Sequence, residues 1–131
     1  MKYKILIVSS NYYKDISKNL LSSAIESLKE KAEIKIIEVP GSFEIPVIIS
    51  KNISEYDGFI ALGCIIKGET PHFNFISQSI TNAIMDLSVN FKKPIGNGII
   101  TSLNKDQALV RSYKKGIEAA EATLTVLDNF E

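Results

Sequence analysis

The chain has 131 residues, 45% of them hydrophobic, enough to bury one substantial core. Lysine and arginine total 15, as do aspartate and glutamate, and their scatter along the chain excludes the basic face of a nucleic-acid binder. One cysteine excludes an intrachain disulfide, and one cysteine with one histidine cannot make a structural zinc site without carboxylates or a partner chain, so no metal is expected.

The chain opens with Met1-Lys2-Tyr3-Lys4 before an apolar run, Ile5 to Val8, too short for a signal segment. Nothing later approaches membrane-spanning length, so a cytoplasmic protein without membrane contact is expected. Residues 5–9 predict a strand, followed by the polar Ser9-Ser10-Asn11-Tyr12-Tyr13. Ile16, Leu20, Leu21, Ala24, Ile25 and Leu28 then recur on one helical face. A second strand over 33–39 runs into Pro40-Gly41-Ser42-Phe43-Glu44 and a short helix over about 43–52, where Pro46 is tolerated in the first turn.

The third strand is predicted over 58–62, with Gly63 and Gly68 marking a bend. Thr70 and Pro71 read as N-cap and first helical residue, placing His72 in a helix's first turn. Ile76, Ile80, Ala83, Ile84, Leu87 and Phe91 continue that helix. A fourth strand over 95–101 is interrupted by Gly96-Asn97-Gly98, which permits close approach of a ligand or another backbone. Arg111 opens the last helical region, whose apolar face is Ile117, Ala120, Leu124 and Leu127. No Pro/Gly/Ser-rich stretch divides the chain, so residues 1–131 are expected to form one domain. The βαβ rhythm with right-handed crossovers predicts a parallel sheet between two helical layers, an α/β/α sandwich.

In such sheets ligands bind at the carboxyl ends of the strands. His72 is the candidate for proton transfer, since only imidazole has an unperturbed pKa near neutrality; the plainer alternative is a local hydrogen bond. The helix N-terminus beside it favours an anion. Arg111, the only arginine, suits two-point binding of phosphate or carboxylate, or is a solvated surface residue. Thr70 can donate to phosphate as well as cap its helix. Tyr12 and Tyr13 offer a stacking platform or close the rim of the core. Glu44 accepts from ligand hydroxyls or favours the helix dipole. Cys64 and His72 as a thiol–imidazole pair would imply covalent catalysis, although free cysteine is commonly a buried hydrophobe.

Three stretches carry a resemblance: Pro40-Gly41-Ser42-Phe43-Glu44-Ile45-Pro46, then Gly63-Cys64-Ile65-Ile66-Lys67-Gly68-Glu69-Thr70-Pro71-His72-Phe73, then Gln107-Ala108 with Arg111. In order and spacing they resemble the lumazine synthase family. The resemblance implies a flavodoxin-like sandwich with strand order 2-1-3-4, needing no cofactor. It also implies condensation of two small-molecule substrates, 5-amino-6-ribitylaminouracil and 3,4-dihydroxy-2-butanone 4-phosphate, into 6,7-dimethyl-8-ribityllumazine with loss of phosphate. By the same resemblance Tyr12 stacks on the pyrimidine, and Ser42, Phe43 and Glu44 hold the ribityl chain. Cys64, Ile65 and Ile66 meet the pyrimidine edge largely through backbone. Glu69, Thr70 and Arg111 bind phosphate, with Lys115 a less specific match, and His72 transfers protons. Asn97 lines the site from a neighbouring subunit of a homopentamer.

The chain departs from that pattern where Tyr12-Tyr13 replaces phenylalanine or tryptophan followed by asparagine, and where Asn97 replaces phenylalanine. Only Ser112, Tyr113 and Lys114 separate Arg111 from Lys115, against a longer glycine-containing loop in shell-forming relatives. Competing readings are an archaeal-type riboflavin synthase, against which Arg111 and Glu69-Thr70 argue, and a non-catalytic lumazine or flavin carrier, against which His72 and the same phosphate residues argue.

Overall fold

A computed structural model describes residues 2–69 and 72–129. Along the chain it has β1 (Tyr3–Ser10), α1 (Lys14–Leu28), β2 (Ala32–Val39), a 3-10 turn (Ser42–Glu44), α2 (Ile45–Lys51), β3 (Gly58–Ile66), α3 (Phe73–Phe91), β4 (Ile95–Ser102) and α4 (Lys105–Asp128). The four strands are all parallel in the order β2-β1-β3-β4. This is the α/β sandwich expected from the sequence, with the strand order that the resemblance implied.

Strand periodicity divides the core in two. In β1, Ile5 and Ile7 face one side and pack with Ile16, Leu20 and Ala24 of α1 and with Ala120 and Leu124 of α4. Leu6 and Val8 face the other and pack with Ile45 and Ile49 of α2 and Ile80 and Ile84 of α3. β3 repeats the division, Ile60, Leu62, Cys64 and Ile66 to the first side and Phe59, Ala61 and Ile65 to the second. All nine β3 residues are buried, the continuous apolar run of a strand covered on both faces.

Several boundaries differ from the sequence expectation. β3 runs through Gly63 to Ile66, because Gly63, Cys64, Ile65 and Ile66 pair with Ile99, Ile100, Thr101 and Ser102 of β4. β4 is likewise uninterrupted. The close approach at Gly96 is made by another backbone: a Cβ there would collide with the Ala119 carbonyl oxygen and Thr123 Oγ1 of α4. α4 begins at Lys105, capped by the Asn104 carboxamide, which accepts from Gln107 N at 2.9 Å. Arg111 therefore lies inside the helix rather than at its opening. α3 begins at Phe73, so His72 occupies the N-cap position instead of the first turn. Phe91 is 52% exposed and does not join the core.

Gly96→Ala should destabilise the fold by about 1–3 kcal/mol, the usual cost of overpacking, because the backbone of α4 must move to admit one methyl group. Denaturant titration would read this as a lower midpoint, and an unchanged midpoint would contradict the packing described.

Candidate functional site

The strand order reverses direction between β1 and β3: β1 leads outward to β2 on one side, whereas β3 leads to β4 on the other. The segments leaving the carboxyl ends of β1 and β3 diverge there, which opens a crevice. A cavity of about 210 Å³ lies at this end, lined by Tyr12 and Tyr13 after β1, Gly41, Ser42 and Phe43 after β2, Cys64, Ile65 and Ile66 of β3, then Glu69 and Ile76.

Each wall has a local cause. Tyr12 is 70% exposed, so its ring does not close the core; the Tyr13 ring meets it edge-on with centroids 4.8 Å apart. Gly63 allows the Ser42 segment to approach the end of β3, since a Cβ at residue 63 would strike Ser42 Oγ. Ser42 is 7% exposed, and its Oγ is one of the buried polar atoms without a hydrogen-bond partner among the described residues. Such an orphan costs about 1–3 kcal/mol. The Glu44 carboxylate turns back to accept from Gly41 N at 3.0 Å, which fixes the turn carrying Ser42 and Phe43.

Charge is distributed unevenly around the cavity. The Tyr13 hydroxyl donates to the Glu69 carboxylate across 56 positions of sequence. Burial, then that hydrogen bond and the charge of Glu69, hold the Tyr13 phenol well above its ordinary range. Burial also pushes the Cys64 thiol up to about 11, with Glu69 adding to the rise and Arg111 opposing it. The thiol is therefore protonated near neutrality, which removes the physical basis for a cysteine nucleophile.

Tyr12, Ser42, Phe43, Cys64, Ile65, Ile66 and Glu69, all candidates from the sequence, are thus brought together. Arg111 lies beyond the cavity wall, exposed, with Nη1 donating to the Thr101 carbonyl oxygen at 3.4 Å; Lys115 follows one turn later on the same unbroken helix. His72 is exposed, its ring 6.4 Å from that of Phe75 between centroids. Asn97 is away from the cavity, in the middle of edge strand β4, and its Oδ1 accepts from Ile99 N at 3.0 Å. Thr70 lies outside the described residues, as does the expected N-terminal pair it makes with Pro71. Gly41 and Ile76 were not singled out as site residues, nor was Tyr13 beyond its stacking role. The helical period assigned Ile76 to the core, and only its place one turn into α3 brings it to the rim.

Among the described residues, no group of three or more histidine, cysteine, aspartate or glutamate side chains is placed to hold a metal ion, and no helix is long and apolar enough to cross a membrane. The family model described as 6,7-dimethyl-8-ribityllumazine synthase matches residues 2–131. Curated proteins named 6,7-dimethyl-8-ribityllumazine synthase are similar over most of their length. The protein from Bartonella tribocorum is 42% identical, covering 96% of this chain and 89% of its own. That from Agrobacterium fabrum is 42% identical, covering 97% and 94%. That from Methylorubrum populi is 40% identical, covering 95% and 80%.

Alkylation of Cys64 by iodoacetamide should be slow at neutral pH and rise toward an inflection near the thiol's pKa of about 11. An inflection at the ordinary cysteine value, about 8.5, would contradict the burial described. Cys64→Ser should leave any activity of the site largely intact.

Proposed function

The chain belongs to the 6,7-dimethyl-8-ribityllumazine synthase family, and from that membership we propose that it condenses 5-amino-6-ribitylaminouracil with 3,4-dihydroxy-2-butanone 4-phosphate. The products are 6,7-dimethyl-8-ribityllumazine, inorganic phosphate and water, so the enzyme is a transferase of riboflavin biosynthesis. The amine attacks the ketone to give an imine with loss of one water, phosphate is eliminated, and the second nitrogen closes the ring with loss of a second water. No step needs a cofactor or a covalent enzyme nucleophile. The protein's work is to hold two small molecules in reacting geometry and to move protons.

The observation that carries this reading is the pairing of an exposed aromatic face at Tyr12 with the buried hydroxyl of Ser42, unpartnered among the described residues, in one crevice. A planar pyrimidine bearing a polyhydroxylated chain uses both. Tyr12 stacks on the ring, Ser42, Phe43 and Glu44 meet the ribityl chain, and Cys64, Ile65 and Ile66 meet the pyrimidine edge. The turn at Glu69 and Thr70 receives the phosphate together with Arg111, with Lys115 beside Arg111, and His72 transfers protons at the ketone. The protonated Cys64 thiol fits a residue used for shape rather than nucleophilicity.

A cavity of about 210 Å³ is smaller than the roughly 300–1,000 Å³ of ordinary ligand pockets, yet two substrates must meet there. We therefore place the complete site between adjacent subunits of a homopentamer, with Asn97 supplied by the neighbour. Exposed apolar side chains at Phe75, Met85, Val89 and Val110 are surface of the kind that subunit contacts cover. The reading includes action in the cytoplasm by one domain spanning the chain, without nucleic-acid or membrane partners.

Purified protein mixed with both substrates should release lumazine, followed by fluorescence, and inorganic phosphate in equal amounts. Neither product in the presence of tight lumazine binding would contradict synthesis and indicate a carrier. Arg111→Ala should raise the KM for the butanone phosphate about tenfold, the size of one charge-assisted hydrogen bond, while leaving that for the pyrimidine little changed. His72→Ala should lower kcat by no more than about 10²–10⁴-fold, and an unchanged pH–rate profile would remove it from the chemistry. Native mass spectrometry should show a particle of five 14.5 kDa chains, and a monomer active at the same concentration would contradict the shared site.

A further inference from the structure

Tyr13 stands at the N-cap of α1, where serine, threonine, aspartate or asparagine would normally satisfy an exposed helical N–H. Its side chain makes no capping hydrogen bond. It reaches instead across the crevice, with its hydroxyl donating to the Glu69 carboxylate and its ring edge against Tyr12. One side chain thus touches both the stacking surface and the turn after β3. That turn is otherwise held by backbone bonds from Lys67 N to Ser102 O at 2.9 Å and from Glu69 N to Ile66 O at 3.3 Å, and the chain passes through Gly68 at φ 90° between them.

We infer that Tyr13 is a positioning residue that couples the two substrate subsites, fixing the plane of Tyr12 with its ring and the Glu69 turn with its hydroxyl. The assignment of those subsites rests on the function proposed above. The electrostatic reason is specific. A free Glu69 carboxylate beside a bound phosphate would repel it, whereas one engaged by a phenol is held on the α1 side of the crevice and its charge is partly satisfied. The hydroxyl therefore matters for the phosphate-bearing substrate and the ring for the pyrimidine.

Tyr13→Phe separates the two effects, since it keeps the ring and removes the donor. In the native oligomer this variant should raise the KM for the butanone phosphate roughly threefold to tenfold, with kcat and the KM for the pyrimidine within about twofold. Tyr13→Ala, which also frees Tyr12, should raise both KM values. Hydrogen exchange at the Glu69 amide, which needs no substrate, should accelerate severalfold in Tyr13→Phe while the exchange of β3 core amides stays unchanged. Failure of the native chain to synthesise lumazine would overturn the function without moving the exchange result. Unchanged exchange at Glu69, or equal changes in both KM values for Tyr13→Phe, would overturn the coupling.

Discussion

Burial of β3 on both faces constrains everything else in this molecule. With neighbours on either side in the sheet and helices above and below, the strand offers no exposed side chain along its length, and only its last three residues also border the crevice. Polar chemistry is confined to where the strand ends. Because β1 and β3 send their continuations to opposite sides, that end coincides with the point where the sheet opens. A rigid, fully covered strand is thus what holds Cys64, Ile65 and Ile66 still against the crevice. Precision of this kind is what a reaction driven by orientation requires.

Local details around the crevice follow from the same constraint. Gly63 lies within the covered strand, and its missing side chain lets the Ser42 turn come down onto the strand end. Glu44 fixes that turn by accepting from the Gly41 amide, and Ser42 is buried there with a hydroxyl that has no partner among the described residues. Across the opening, Tyr12 keeps an aromatic face in solvent, an arrangement unfavourable for an idle surface and useful for a stacked ring. In the proposed reading the crevice takes a planar, hydroxylated ligand, and in the proposed assembly the neighbouring subunit completes a volume too small for two substrates.

Much of this was legible in the sequence because local and global signals agree. The helical stripe from Ile16 to Leu28 and the apolar runs of β1 and β3 gave a parallel α/β sandwich, and the quoted motifs gave its strand order and family. The failures have physical reasons. Gly63 looks like a breaker when read locally, yet pairing with Ile99 carries β3 four residues further. The start of α4 has a local signal, Asn104 three residues before Gln107, while the helix's apolar periodicity becomes regular only further along. Gly96 allowed either a ligand or a backbone nearby, and only the folded chain brings Ala119 to it. The bond from Tyr13 to Glu69 spans 56 positions, and no local pattern encodes such a contact.

A crystal structure of the protein with bound 6,7-dimethyl-8-ribityllumazine would test most directly whether the crevice between β1 and β3 is the substrate site. The account predicts the lumazine ring lying against Tyr12, its edge along Cys64 to Ile66, and its ribityl hydroxyls within hydrogen-bond reach of Ser42. Lumazine bound elsewhere, with Tyr12 and Ser42 untouched, would contradict it.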